Sequence, residues 1–428
     1  MGNVISEADT CQLWRYQPVT IEFFVNGVGT ISIPKERFKT MAIIDNFEEN
    51  QFPVFRCTLV IESSKYYAIL QNKNSAKLHL RIDKYFMKID NSDKSLNRRF
   101  IDDTFDLIMD DADSDKYQGL KQTQNSTDFT SVNQNDSNDL KYTDSTVEFF
   151  LFKADYVNGM KTKVNAILEK ATVSDAIAYI FSKAKVKNIL MSPPDNTKKK
   201  KTLIIPPLDC MNALKFIDSY YGIYKRGSLI YFGLDRGYVL SYKGECTAFE
   251  PDENKVVTII VPQSKSGHYD GSCGLKKAED PNNDYILAEY SSLSVRNDSI
   301  SNNVIGTNTV KVVDGYTGKS ETSDSKAVTK GDSTEGRIEN KTENEFLTDM
   351  YQSQIDSTSL VIDLRLENFD VSCMKPNRKF NIIFEDSNMT KKYQGIYQLT
   401  CLNTTFIDDS ADLGISVIAR FKKTNYER

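Results

Sequence analysis

Several residue types on which metal sites, disulfide scaffolds and hydrolase centres depend are scarce in this sequence. Its 428 residues include two histidines, one tryptophan and seven scattered cysteines, with no CxxC pair. His79 and His268 have no cysteine or second histidine at ligand spacing, which argues against a metal site. The odd number of cysteines argues against a disulfide framework, so we expect reduced thiols packed mostly in cores.

Long apolar runs and an export signal are also missing. No stretch reaches the ~18 apolar residues of a membrane span, so we expect no stable membrane insertion. The N-terminal sequence MGNVISEADT has no basic region followed by an apolar run, which argues against a signal peptide. Gly2 and Ser6 fit the short myristoylation pattern, but no polybasic segment accompanies them. We therefore interpret this fit as a chance match and not as a lipidation site.

The charge balance gives no sign of a nucleic-acid-binding protein. The net charge is -5, with 54 basic and 59 acidic residues intermingled along the chain. A protein that grips nucleic acid by its phosphates needs a basic patch or stripe. The composition is nevertheless compatible with a channel through which DNA passes without being held.

Two motifs that would carry chemistry are incomplete. The stretch GYTGKS (residues 315–320) resembles the end of a P-loop, but Val313 stands where the first glycine is required, and a poor helix follows. We therefore predict a polar turn. No GxSxG elbow marks a nucleophilic serine, although triads and carboxylate pairs assemble only in space. We expect no enzyme activity, no cofactor and no metal.

Two charged stretches favour solvated loops over binding sites. Three aspartates have the alternate spacing of a calcium loop: Asp111, Asp113 and Asp115. Lys116 and Gln122 stand where that loop needs glycine and glutamate, which argues against the ion. The lysine run at residues 198–201 would suit an acidic partner or nucleic acid, but a solvated loop is preferred.

The N-terminal third has strand composition. TIEFFVNG (residues 20–27) ends in an Asn-Gly hairpin signal. CTLVI (57–61) and AKLHLRI (76–82) follow, and the second alternates apolar and polar residues as a half-buried strand does. Residues 110–144 are almost entirely polar and predict a mobile loop or insertion. STVEFFLFK (145–153) returns to strand composition.

A mixed α/β segment follows. Thr172 and Asp175 form a capping-box pattern that predicts a helix over residues 173–184. A second helix is predicted after Pro206-Pro207, ending at Gly222. Its expected inner side is Leu208, Met211, Leu214, Phe216 and Ile217.

Aromatic residues are dense in LKFIDSYYGIYKRGSLIYFG (residues 214–233). We expect residues 223–224 and 229–232 to form two short strands about the turn at 225–228. The aromatic side chains would then lie on a helix face and a hairpin that pack together, so most of them would be core.

The C-terminal part again predicts strands. They are expected within residues 255–261, 308–313, 360–366, 380–384, 395–402 and 414–421, the last three completing an antiparallel set. A polar loop at 315–341 and a short helix at 343–354 interrupt them.

We therefore predict a mainly β protein with an α+β segment. Two β-rich regions flank a small mixed α/β domain, and a weak internal repeat would make each of these regions an antiparallel β-barrel domain. The expected boundaries are an N-terminal arm at 1–18, a first barrel at 19–155, the mixed domain at 156–244 and a second barrel at 245–428.

Residues 206–240 resemble the central segment of baseplate hub proteins of tailed bacteriophages. In that family a helix ending in an aspartate and a Tyr-Gly pair precedes a hairpin with a basic-glycine turn and an aromatic second strand. The matching residues are Leu214, Phe216, Ile217, Asp218, Tyr221, Gly222, Tyr224, Lys225, Gly227, Tyr231 and Phe232. Ile217 stands where the pattern has leucine. The order of elements along the chain also agrees.

This resemblance implies a virion protein of the tail tip, assembled in the host cytoplasm. Hubs of this kind are homotrimers whose subunits each supply two tail-tube-like barrels. The resulting pseudo-sixfold ring joins the hexameric tail tube to a trimeric central spike, contacts other baseplate proteins and lets DNA pass without specific binding. The polar tracts at 110–144 and 315–341 are not expected of a minimal hub and would be insertions that reach neighbouring proteins.

Two other functions stay open at this point. Aromatic content and Asn/Ser/Thr-rich loops also suit a receptor-binding adhesin with β-sandwich domains. A β-rich cell-wall hydrolase has the weakest support, and no peptidase or lysozyme-like region follows the second barrel.

Overall fold

The structure is a computed structural model. It describes residues 5–6, 8–48, 52–87, 94–108, 144–186, 188–225, 227–234, 236–241, 256–263, 271–289, 293–297, 309–313, 320–324, 360–409 and 412–423. Outside these ranges lie Gly2, His268, the aspartates at 111–115, all but the last residue of the tract at 110–144 and the predicted helix at 343–354.

Seven strands form the N-terminal third, and they contain every strand predicted there. They are β1 (Thr10–Val25), β2 (Gly29–Ser32), β3 (Phe38–Asn46), β4 (Val54–Glu62), β5 (Lys77–Met87), β6 (Lys94–Ile108) and β7 (Asp144–Lys153). The β1–β2 hairpin turns at Gly27, whose φ of 78° is the left-handed conformation that glycine adopts readily. A short helix, α1 (Ser63–Gln71), follows β4.

The alternation of apolar and polar residues determines which face of these strands packs into the core. In β5, Leu78, Leu80 and Ile82 are fully buried, while Lys77 is exposed and Arg81 half-buried. Successive side chains of a strand point to opposite faces, so every second residue packs inward. The predicted half-buried strand is confirmed.

The mixed segment contains three helices and five short strands. They are α2 (Ala154–Lys161), β8 (Lys163–Ala171), α3 (Val173–Lys183), β9 (Ile189–Met191), β10 (Lys200–Asp209), α4 (Cys210–Tyr221), β11 (Ser228–Phe232) and β12 (Gly237–Ser241). Helix α3 begins with the predicted capping box: the Asp175 N–H donates to Thr172 Oγ1 (3.2 Å), and the Thr172 N–H donates to Asp175 Oδ2 (2.8 Å).

Two local predictions in this segment are wrong. Pro206 and Pro207 belong to β10, and α4 begins only at Cys210, with the Asp209 side chain as its N-cap. Residues 223–224 form no strand; the hairpin partner of β11 is β12, with Leu229 opposite Leu240.

The C-terminal strands include the three that were expected to form an antiparallel set. They are β13 (Val257–Val261), β14 (Cys273–Lys276), β15 (Tyr285–Leu287), β16 (Leu293–Asn297), β17 (Thr309–Val313), β18 (Ser320–Asp324), β19 (Leu360–Glu367), β20 (Lys379–Phe384), β21 (Gly395–Asp409) and β22 (Asp412–Lys423). Helix α5 (Ser387–Tyr393) joins β20 to β21.

Two features of this region were not predicted. Strand β13 runs parallel to both β15 and β20, within an otherwise antiparallel sheet. Residues 320–324, expected in a loop, form β18 and pair with β17. A strand therefore follows GYTGKS, whereas a P-loop requires a helix there.

The strands close into a β-barrel. Neighbouring strands form the circuit β14-β15-β13-β20-β21-β3-β4-β7-β6-β5-β1, which β1 closes by pairing with β14. Strand β22 pairs with β21 along most of its length and with β1 through one residue pair, Tyr16 with Leu413, and so crosses the circuit. One side of the crossing is a ring of eight strands (β1, β5, β6, β7, β4, β3, β21, β22), and the other is a ring of seven (β1, β14, β15, β13, β20, β21, β22).

A three-stranded sheet separates two hydrophobic cores. In the order β11-β12-β9, one face of this sheet contributes Leu190, Tyr231 and Leu240 to the core of the large barrel. The other face contributes Phe232 and Val239 to a second core formed with helices α3 and α4. The mixed segment is thus packed directly against the barrel strands.

Candidate assembly interface

The residues that carry the hub resemblance lie mostly inside the protein. The buried members are Leu214, Ile217, Tyr221, Gly222, Tyr224, Gly227, Tyr231 and Phe232, and the half-buried members are Phe216, Asp218 and Lys225. Side chains enclosed in this way specify packing and are not available to a partner protein. The prediction that most aromatic residues of this stretch are core is confirmed.

Hydrogen bonds at the end of α4 explain several of these residue types. Gly222 has a φ of 71°, and the Asn196 side chain donates to the carbonyl oxygens of Tyr221 (2.8 Å) and Gly222 (3.0 Å). The hydroxyl of Tyr224 lies 2.6 Å from the carbonyl oxygen of Ser192. Because the last carbonyl groups of a helix lack internal partners, these contacts satisfy polar groups that burial would otherwise penalise.

Asp218 is a half-buried acidic residue of this segment. Its carboxylate accepts a hydrogen bond from the hydroxyl of Ser228, the first residue of β11. Burial raises the pKa of Asp218, although hydrogen bonds from Ser228 and from the backbone of Ile223 act in the opposite direction. Asp218 thus links helix α4 to the hairpin that begins with β11, and this structural role explains why an acidic residue is partly buried here.

Tyr231 connects the mixed segment to the barrel by a hydrogen bond and a ring contact. Its hydroxyl donates to the Asp45 carboxylate at the end of β3, and its ring meets that of Phe47 edge-on, with centroids 4.7 Å apart. Burial, followed by the charge of Asp45, raises the pKa of Tyr231 well above its usual value. Tyr231 therefore remains protonated and keeps donating this hydrogen bond.

A second buried junction joins N-terminal and C-terminal strands. The ammonium group of Lys84 on β5 lies 2.7 and 2.8 Å from the two carboxylate oxygens of Asp370, and 2.7 Å from the Ser372 hydroxyl. The fully buried Tyr16 accepts a hydrogen bond from the Val371 N–H (3.0 Å). Lys84 and Asp370 are 286 positions apart in sequence and Tyr16 and Val371 are 355 apart, and no local pattern predicted either contact.

The outward faces of the strands carry paired charges. On β5 and β6, Lys77 lies 3.4 Å from Asp106, and His79 lies 3.4 Å from Asp102. Arg99 adds a second cation 2.9 Å from Asp102. His79 is therefore a surface residue of the polar strand face, as the sequence predicted. Signs alternate here, so this face is not a basic stripe of the kind that phosphates require.

Exposed apolar side chains mark a further surface, the ribbon of β8 and β10. Ile167 and Ile204 lie directly opposite each other and are 68% and 51% exposed. At one end of the ribbon, Lys198, Lys199 and Lys201 are exposed and Lys200 is half-buried. Lys200 and Lys201 already belong to β10, so the predicted loop covers only the first half of the lysine run.

The part of the chain that the structure describes contains no cluster of three or more histidine, cysteine, aspartate or glutamate side chains arranged to hold a metal ion. Within the same ranges, no helix has the length and apolar character that a membrane span requires. Five of the seven cysteines, Cys11, Cys57, Cys210, Cys273 and Cys373, are buried free thiols, and Cys401 is half-buried. The predicted packing of cysteines in cores is confirmed for these five, while Cys246 lies outside the described residues.

The chain is similar to several known structures. The tail protein from Neisseria meningitidis MC58 is similar over 96% of this chain and 97% of its own, with a TM-score of 0.51 and 9% identity. The 43 kDa tail protein of prophage MuSo2 from Shewanella oneidensis matches with a TM-score of 0.46, 9% identity and coverage of 93% and 96%. The PdpA-VgrG complex of Francisella matches with a TM-score of 0.48, 10% identity and coverage of 100% and 55%.

The first of these similarities shows the fold of a tail protein. No curated protein sequence matches the chain. The family model described as "Bacteriophage PBS1 gene 109 protein", in contrast, matches residues 24–424, nearly the whole chain. The predicted relationship to phage tail and baseplate proteins is thereby confirmed. The chain therefore belongs to the bacteriophage PBS1 gene 109 protein family, and its mainly β fold is that of a tail protein.

Proposed function

We propose that the chain is a hub subunit of the tail tip or baseplate. Three copies would form a ring that adapts the hexameric tail tube on one side to a trimeric central spike on the other. The observation that carries this proposal is the strand circuit, which β22 divides into rings of eight and seven strands. Three such chains would supply six rings, the number needed to match a sixfold tube.

We propose further that DNA passes through the lumen of this trimer without specific binding. The mildly negative net charge of -5 and the paired charges on β5 and β6 support this, because both disfavour phosphate binding. The chain's role would then be structural and non-enzymatic. Assembly in the host cytoplasm and contacts with other baseplate proteins belong to the same proposal.

The division into segments at 19–155, 156–244 and 245–428 stays a prediction. Strands of the first segment pair with strands of the third, as β3 does with β21 and β1 with β14. If these segments are nevertheless folding units, limited proteolysis should release the middle segment as a protected fragment. Simultaneous loss of protection in all three would contradict the division.

An epitope tag tests the location of the chain. The turn after β1 is suitable, because Val28 is exposed and a side chain added at Gly27 would meet nothing within 4 Å. Gold-labelled antibody should decorate the tail end of tagged phage and not of untagged phage. A second readout, the mass of released tail tips, does not depend on access to the tag and should show three copies.

Three results would overturn the hub proposal. Label along fibres, together with binding of the pure protein to host cells, would favour a receptor-binding adhesin. A tail-tip stoichiometry other than three would remove the symmetry-adapting role even if the label lay at the tail end. Lysis of cell-wall material by the pure protein would indicate a hydrolase.

A further inference from the structure

Two thiols meet where the strand circuit closes. Cys11 on β1 and Cys273 on β14 are 262 positions apart in sequence, yet their sulfur atoms lie 2.7 Å from each other. A disulfide bond measures about 2.05 Å, so the sulfur atoms need to approach by only about 0.7 Å to form one.

The position of this pair is structurally distinctive. Strands β1 and β14 are joined by only three residue pairs, Thr10 with Lys276, Cys11 with Leu275 and Gln12 with Gly274. By comparison, β1 and β5 are paired along most of their length. The junction that closes the circuit is therefore short, and a covalent bond would add more stability there than at a longer strand pairing.

The surroundings of the two sulfur atoms are apolar. Both side chains belong to a small cluster with Ile260, Leu275 and Leu287. Cys11 is 6% exposed and Cys273 fully buried, so Cys11 is the thiol that a small reagent reaches first. The hydrogen bond from Cys273 lowers the pKa of Cys11 and raises that of Cys273, which also favours Cys11 as the first nucleophile.

We propose that Cys11 and Cys273 are a cross-linking site, at which a disulfide bond fastens β1 to β14 when the protein meets a low-molecular-weight disulfide. The Cys11 thiolate attacks one sulfur of that disulfide, whose other half leaves as a thiolate and takes up a proton. Cys273 then loses its proton, attacks the Cys11 sulfur and expels the second half. Two protein thiols are oxidised to one disulfide, and one small disulfide is reduced to two thiols.

The environment of a virion makes this reaction relevant. Disulfides persist at virion surfaces and in extracellular surroundings, whereas cytosolic proteins are kept reduced. A tail protein assembled with free thiols can therefore acquire the bond after release. This inference depends on the local geometry of the two strands and not on the hub role.

Mass spectrometry tests the cross-link on the folded full-length protein. After incubation with oxidised glutathione, free thiols are blocked with iodoacetamide and the protein is digested without reduction. We expect the loss of two of the seven thiols and a linked pair of peptides containing Cys11 and Cys273. The variants Cys11→Ala and Cys273→Ala should each abolish the linked pair, whereas Cys57→Ala, which removes an equally buried thiol, should retain it.

Thermal unfolding gives a second readout. Oxidation should raise the unfolding midpoint of the wild type and of Cys57→Ala, and should leave that of Cys11→Ala unchanged. Retention of all seven thiols in the folded protein would overturn the proposal. A cross-link that forms only after denaturation, or that joins Cys11 to other cysteines equally, would overturn it too.

Discussion

The buried ammonium group of Lys84 allows a quantitative test of how the N-terminal and C-terminal strands are held together. All three of its N–H donors have partners, two on Asp370 and one on Ser372. The two charged residues differ in environment: 10% of the Lys84 side chain is exposed, compared with 28% of the Asp370 side chain. We therefore expect the two single truncations to have unequal costs.

Removing the carboxylate should be the more damaging change. Asp370→Ala leaves a buried ammonium group without a counter-ion, which costs about 3–5 kcal/mol of unfolding free energy. Lys84→Met keeps the volume of the side chain and leaves a carboxylate that water reaches and that still accepts from the Ser372 N–H (3.0 Å). We expect this change to cost on the order of 1–2 kcal/mol. The double variant should be more stable than Asp370→Ala, because it contains no buried unpaired charge.

The single tryptophan makes the assay local. The ring centre of Trp14 lies 5.4 Å from the Lys84 ammonium group, so its fluorescence in urea reports on this junction. Arg365→Ala is the control, because its 3.2 Å pair with Glu367 is exposed and should contribute about 0–1 kcal/mol. Equal losses for Asp370→Ala and Lys84→Met, or a double variant that shows the sum of the two, would refute the reasoning.

Three further changes test the mixed segment and β22. A Cβ atom at Gly237 would lie 2.5 Å from the ring of Phe181, so Gly237→Ala should cost about 1–3 kcal/mol of unfolding free energy and increase hydrogen exchange over α3. Gly414→Ala is the control: its Cβ would meet nothing within 4 Å, so neither stability nor hydrogen exchange should change. Thr172→Ala removes the cap of α3 and should cost about 1 kcal/mol, measured by urea unfolding. Burial raises the pKa of Asp218, so the stability of the wild type falls as pH rises through that raised pKa. Asp218→Asn should therefore stabilise the protein at pH 7. The difference in unfolding free energy between variant and wild type should shrink in unfolding curves recorded towards pH 4.

The sequence predicted what depends on local periodicity. Helix α3 begins with its capping box and has an apolar face, and β19 buries Ile362, Leu364 and Leu366 while Asp363 is half-buried and Arg365 is exposed. The family resemblance was also readable, because about thirty-five residues hold both the end of α4 and its aromatic hairpin. Element type in such segments is fixed by side chains close in sequence.

The local errors have physical reasons. Pro206 and Pro207 are usual helix-start signals, but they lie where the register between β10 and β8 shifts, and a bulge tolerates missing N–H donors. Residues 223–224 look like a strand, yet the buried hydroxyl of Tyr224 reaches the Ser192 carbonyl and holds them in a turn. The polar β18 is a strand because its backbone pairs with β17, and backbone pairing does not require apolar side chains.

The long-range arrangement was not predictable from local patterns. The parallel pairing of β13 with β20 joins residues more than a hundred positions apart, and the Lys84–Asp370 pair joins residues 286 positions apart. Nothing in the spacing of either segment specifies its partner. The aromatic stretch at residues 214–233 was therefore predicted only as buried packing, and its contacts with β3 and the barrel were missed.

A single strand, β21, sets the geometry of the two rings. One of its edges pairs with β22 along most of its length, while the other pairs first with β20 and then with β3. The change of partner falls at Thr400, which is an extra residue in the ladder with β22. The carbonyl oxygen of Thr400 accepts a hydrogen bond from the Phe47 N–H (3.0 Å). A bulge bends a strand and increases its twist, so one continuous strand can serve two rings. The spacing of the two rings within the chain is therefore fixed by backbone hydrogen bonds.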